Sequence, residues 1–166
     1  MKNDINSFFR YYPKHSDSFD FHSKLILNLK DNHPHAVDYF YKVLSKFFAR
    51  SVGYGDVATL CCVPTSRTDY LNPIAYIIRR LCDSNSSLAD GSLLIRTIMN
   101  RNSFCRSRVR DAAELYLSIY IFQDVKDLDI VLIDDVCCTG LSLLTIKNML
   151  LNRGARSVEC LALAKS

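Results

Sequence analysis

Two adjacent carboxylates, Asp134 and Asp135, stand between an apolar run and a glycine that opens a helical pattern, in the segment Val131-Leu132-Ile133-Asp134-Asp135-Val136-Cys137-Cys138-Thr139-Gly140-Leu141-Ser142. A buried strand that delivers such a pair to its carboxyl end, followed by a short turn into a helix, is where an open parallel sheet binds ligands. The helix start supplies backbone N–H groups and the positive end of its dipole, so a phosphate finds partners between Cys137 and Ser142. Thr139 and Ser142 add hydroxyl donors, and Gly140 lets the backbone approach a ligand closely. Two carboxylates beside a phosphate repel it unless they bind its hydroxyls or a divalent cation. A sugar phosphate with a vicinal diol suits both halves of the segment. An acid pair alone also caps helices or faces water; the strand before it and the Thr-Gly-helix after it carry the weight.

The elements that must position these residues are legible from periodicity. Asp129 to Ile133 is a branched apolar run and predicts a strand. Leu141 to Leu151 has helical spacing, Gly154 ends it, and Val158 to Ala164 predicts a second strand. A right-handed crossover makes the two strands parallel. Upstream, Ala58 to Val63 reads as a buried strand closed by Pro64, and Pro73 opens a helix to about Asp83. Ser92 to Ile95 reads as a short strand, and Val109 to Tyr120 is open between helix and strand. Pro34 to Arg50 predicts an amphipathic helix ended by Gly53 and Gly55, and the aromatic-rich residues before it predict a strap of short helical or extended pieces. The expected fold class is α/β, a mostly parallel sheet with helices on both faces. Within a single domain, residues 1–57 form an N-terminal aromatic-rich helical extension packed on the α/β core of residues 58–166.

Of 166 residues, 49% are hydrophobic and 23% charged, a balance that can bury a core and excludes a disordered chain. The net charge of +4 is too small to argue for nucleic acid as a partner, without excluding one. Its distribution is uneven: Arg96, Arg101, Arg106, Arg108 and Arg110 precede the acidic Asp111, a local positive field suited to a phosphorylated ligand. The seven cysteines contain no CxxC pair, which argues against a zinc site, and several lie in apolar runs, as in a reducing compartment. His15, His22, His33 and His35 all fall in the N-terminal part and suit surface or capping roles. With no secretory signal and no apolar run of the ~20 residues that cross a bilayer, the expectation is a soluble cytoplasmic protein without a membrane partner.

The segment ending at Ser142 resembles the phosphoribosyl-pyrophosphate signature of the type I phosphoribosyltransferases: four hydrophobic residues, two acidic residues, a short spacer, then Thr-Gly before a helix. The resemblance implies that Asp134 and Asp135 contact the ribose hydroxyls. Cys137, Cys138, Thr139, Gly140, Leu141 and Ser142 would then hold the 5′-phosphate, with Val136 an implied substrate contact beside them. Val63-Pro64-Thr65-Ser66-Arg67 is similar to the family's pyrophosphate loop, so Thr65, Ser66 and Arg67 are implied substrate contacts. Asp134, Asp135 and Arg67 are the implied catalytic residues. The implied cofactor is Mg2+, held through the ligand's pyrophosphate with Asp134 and Asp135 as further ligands. The order of elements looks most like the ComF-like branch. Cys138 departs from the pattern, since many members carry a hydroxyl there. The zinc-binding cysteines of that branch are absent, and Asn100 to Arg110, where the mobile catalytic loop belongs, shows no signature.

Two functions follow from the resemblance. One is an enzyme transferring ribose 5-phosphate from phosphoribosyl pyrophosphate to a nitrogenous base, or the reverse. The other is a catalytically weak or inactive subunit that senses phosphoribosyl pyrophosphate or a nucleotide and acts through a protein partner. Cys138 and the missing loop signature favour the second; Asp134-Asp135 and Thr139-Gly140 favour the first. A homo-oligomer is open in either case, and no motif marks the acceptor base.

Overall fold

The structure, a computed structural model, describes residues 5–51, 53, 56–66, 68, 71–99 and 112–166. Five strands form one sheet: β1 (Ile5–Arg10), β2 (Ala58–Cys62), β3 (Leu88–Asp90), β6 (Asp129–Cys137) and β7 (Ser157–Lys165). Their order is β1-β7-β6-β2-β3, and every pairing is parallel. On one face lie α1 (Phe21–Lys30), α2 (Pro34–Ser51) and α3 (Pro73–Ser84), whose Ile26, Phe40 and Ile77 share a core with Leu60, Ile133 and Leu161. On the other lie α4 (Ala112–Ser118) and α5 (Leu141–Asn152), whose Leu115 and Ile146 pack with Leu132, Cys160 and Ala162. The fold is therefore the α/β class expected, with helices on both faces. Double coverage is why the inner strands read as unbroken apolar runs instead of alternating ones.

Local chemistry sets the helix starts. Asp20 accepts the Ser23 N–H at 2.8 Å and caps α1, while Asn72 accepts the Ile74 N–H at 3.0 Å and caps α3 just before Pro73.

Three stretches differ from the sequence reading. Ser92 to Ile95 is not one strand: the chain pairs at β3, turns, and pairs again at β4 (Ile95–Thr97). Gly91 forces the turn, because its N–H donates to the Leu60 carbonyl at 2.8 Å and a Cβ there would meet that oxygen at 2.8 Å. Val109 to Tyr120 resolves both ways where it is described, as α4 followed by β5 (Ile119–Ile121), antiparallel to β4. The aromatic stretch before Pro34 holds an extended and a helical piece, as expected, but its extended piece, β1, joins the main sheet as an edge strand; α2 is the helix expected from Pro34. Asn100 to Arg110 lies outside the described residues. No helix among the described residues is long and apolar enough to cross a membrane.

Candidate functional site

β6 does not stop at Ile133. It continues through the acid pair to Cys137, because β7 offers a partner all the way: Asp134 lies opposite Ala162, Val136 opposite Ala164 and Cys137 opposite Lys165. The carboxylates therefore sit inside the end of the strand, not in a loop beyond it. The strand is irregular there. Ile133 and Val136 pack into one core while Leu132 and Cys137 pack into the other. In unbroken alternation, positions an odd number apart face opposite ways, so the alternation slips by one residue at Asp134-Asp135. Each carboxylate holds the next amide: the Asp135 N–H donates to Asp134 Oδ1 at 2.9 Å and the Val136 N–H to Asp135 Oδ1 at 2.6 Å. Both acids are half-buried.

Beyond β6 the chain turns sharply into α5. Cys137 is buried, Cys138 and Thr139 are exposed, Gly140 is buried, and Leu141 and Ser142 are half-buried. Gly140 has φ of 81°, the left-handed region that favours glycine, and a Cβ there would meet Ile5 Cδ1 of β1 at 2.7 Å. Thr139 Oγ1 accepts the Leu141 N–H at 3.3 Å, and the first helical bond runs from the Leu144 N–H to the Gly140 carbonyl at 2.9 Å. Gly140 is the N-cap of α5 and offers no side chain to its opening amides. The entrance of α5 thus carries the positive end of the helix dipole with a glycine at its mouth.

The Val63 segment stands alongside. The Val63 N–H donates to the Ile133 carbonyl at 2.9 Å, which brings Pro64, Thr65 and Ser66, all half-buried, next to the acid pair. Asn72 Nδ2 donates to the Val63 carbonyl at 3.0 Å, and Thr97 Oγ1 donates to the Thr65 carbonyl. Arg67 lies outside the described residues, as do Arg101, Arg106 and Arg108. A cleft of about 800 Å³ opens on the α3 side of this segment, lined among others by Pro64, Thr65, Asn72, Tyr76, Arg79 and Arg96. The acid pair and the turn are not part of its lining. Behind them, burial pushes the Cys62 thiol up to about 12, with the charges of Asp134 and Asp90 adding to it. Cys62 is therefore a neutral packing group and no nucleophile.

Sequence reasoning missed two residues. Asn72 ties the Val63 segment to the start of α3, and its position before Pro73 was a legible capping signal. Lys30, the last residue of α1, places Nζ 3.4 Å from Asp135 Oδ2, and nothing local in the sequence announces that contact.

A parallel sheet with helices on both faces, carrying an acid pair and a glycine turn at one strand end, defines an α/β protein. Residues 75–166 match the phosphoribosyl transferase domain, and the chain belongs to that family. The match contains the acid pair and the turn; Thr65, Ser66, Arg67 and Lys30 precede it. Among solved structures the chain is similar to the hypoxanthine phosphoribosyl transferase of Trypanosoma cruzi, at 14% identity and a TM-score of 0.45, over 87% of this chain and 66% of that one. It is also similar to a variant of that enzyme complexed with the product IMP, at 15% identity and a TM-score of 0.46, over 87% of this chain and 63% of that one. The chain spans just under two thirds of the length of either structure. No curated protein matches it significantly.

Proposed function

We propose that this chain binds phosphoribosyl pyrophosphate and transfers ribose 5-phosphate to or from a nitrogenous base, in the manner of the ComF-like branch of its family. In this reading Asp134 and Asp135 accept hydrogen bonds from the ribose hydroxyls, Val136 borders the substrate, and the turn from Cys137 to Ser142 takes the 5′-phosphate. Thr65, Ser66 and Arg67 face the pyrophosphate. Residues 58–166 form the catalytic core and residues 1–57 an extension packed on it. The observation that carries the reading is the succession of two half-buried carboxylates and a left-handed Gly140 opening α5, groups suited to a diol and to an anion respectively.

The chemistry follows from charge. Displacing pyrophosphate leaves positive charge on the ribose ring, and carboxylates fixed at its hydroxyls stabilise that charge as it develops. The turn's amides hold the 5′-phosphate and with it the orientation of the anomeric carbon. No group of three or more His, Cys, Asp or Glu among the described residues makes a protein metal cage. The acid pair nevertheless fits Mg2+, which is commonly held by one or two carboxylates plus substrate phosphates. Bound there with the substrate, the cation would neutralise the leaving pyrophosphate.

A second reading, a sensing subunit that binds without turnover, is favoured by the exposed thiol of Cys138 at the mouth of the turn, a weaker donor than a hydroxyl. One experiment addresses both. The double variant Asp134→Asn, Asp135→Asn is expected to lose phosphoribosyl pyrophosphate binding in calorimetry with Mg2+ while its circular dichroism stays that of wild type. Unchanged affinity overturns the assigned site. Pyrophosphate release by the wild type, measured over a panel of bases, separates an enzyme from a binder.

A further inference from the structure

We propose that Lys30, from the N-terminal segment outside the family-matched stretch, is a positioning residue for the ribose-binding carboxylate of Asp135. The inference rests on the phosphoribosyl pyrophosphate reading of the acid pair and deepens it.

Lys30 is held in place by its helix. Leu25, Ile26 and Leu29 of α1 are buried in the core shared with Ile133 and Leu161, so the end of the helix is anchored there. The helix closes immediately after Lys30: the Asp31 N–H donates to the Leu27 carbonyl at 3.1 Å and the Asn32 N–H to the Leu29 carbonyl at 2.9 Å, with Asn32 at φ 57°. A lysine in the last helical turn is also favoured by the helix dipole. Its ammonium therefore reaches Asp135 from a fixed base.

The two oxygens of Asp135 have different partners. Oδ1 accepts the Val136 N–H at 2.6 Å and Oδ2 faces Lys30 Nζ at 3.4 Å. Together they fix the plane of the carboxylate, and a carboxylate with about four lone-pair sites keeps capacity for a sugar hydroxyl. Charge points the same way. Phosphoribosyl pyrophosphate is a polyanion, and two neighbouring carboxylates oppose its approach unless a cation offsets them. Lys30 supplies that offset at the acid pair itself, from an element that the family match does not include.

The pair is partly open to solvent, at 36% exposure for Lys30 and 29% for Asp135, so screening keeps the effect modest. The expected loss on neutralising Lys30 is about threefold to fivefold in affinity. The test is calorimetric titration of phosphoribosyl pyrophosphate with Mg2+ into wild type, Lys30→Met, Lys30→Gln and Lys30→Arg, at low and high salt. Met keeps the length of the stem, Gln is the second neutral variant should Met fold poorly, and Arg restores the charge. Both neutral variants should bind more weakly, Arg should recover the affinity, and the gap should narrow in high salt. Wild-type binding with equal or tighter binding by the neutral variants, or an Arg variant as weak as they are, overturns the role of Lys30 and leaves the substrate reading intact. A wild type that takes up no phosphoribosyl pyrophosphate overturns the substrate reading first, and this inference with it.

Discussion

Gly140 answers to two constraints at once, its own backbone and a neighbour from the far end of the chain. Its φ of 81° costs an L-residue about 1–2 kcal/mol, and the Cβ of any replacement would stand 2.7 Å from Ile5 Cδ1. Gly140→Ala should therefore lower stability by roughly 1–3 kcal/mol, from left-handed strain plus the displacement of Ile5. It should weaken ligand binding beyond that, because the first turn of α5 shifts with it. Urea midpoints give the first quantity and calorimetry the second. Adding Ile5→Ala should return part of the stability but not the binding. A double variant that regains neither would mean that contact with β1 is not the source of the loss. The chemistry of this residue was legible in the sequence as a glycine before a helix. Its contact with Ile5 was not, since the two residues meet only once β1 pairs with β7.

Elements were legible where both faces of a strand are covered and illegible where polar residues stay in the ladder. The β6-turn-α5-β7 unit announced itself through branched runs and two glycines, and the structure keeps all three elements. The extension of β6 through Asp134 and Asp135 did not, because paired acids read as loop; half-buried at the carboxyl end of the central strand, they stay in the ladder with β7. The start of the same strand pair is clamped differently. Asp129 accepts Arg156 Nε at 3.0 Å and the Ser157 hydroxyl at 2.7 Å, and these partners lower its carboxyl to about 2. With its folded value below the ordinary one of about 3.9, Asp129 contributes stability that is present above pH ~4 and is lost as the pH falls toward ~2. Arg156 and Asp129 keep 64% and 36% of their side-chain surface open to solvent, so the contribution is small. Urea midpoints of wild type and Asp129→Asn should differ near about pH 6 and converge near about pH 2. A gap that stays constant across that window would show that the clamp is not ionic.

At the scale of the molecule, the question is whether the segment before β2 opens on its own or with the sheet. Its first part was hard to read in sequence, because Phe8, Phe9, Tyr11, Tyr12 and Phe19 follow no clear period, whereas α2 was legible from its spacing. Packing shows what the aromatics do. Phe8 meets Phe47 edge-on at 5.3 Å, Phe9 stacks on His22 at 4.0 Å, and Phe9 also contacts Phe40 at 6.3 Å. Two hydrogen bonds fasten the strand's exit: the Tyr11 N–H donates to the Lys165 carbonyl at 2.9 Å and the Tyr12 N–H to the fully buried Ser23 hydroxyl at 2.9 Å. Phe40 of α2 is 0% exposed and shares its core with Ile133, Leu161 and Leu163 of β6 and β7. Truncating it removes contacts on both sides, so Phe40→Ala should cost roughly 3–5 kcal/mol, a large part of the ~5–15 kcal/mol that holds a typical domain. The loss should appear in one cooperative transition, with hydrogen exchange of the β6 and β7 amides accelerated along with that of α2. Protection lost in α2 but kept in β6 and β7 would instead identify the segment as a separately opening unit. The grip of Lys30 on Asp135 would then be released without unfolding the sheet that carries the acid pair.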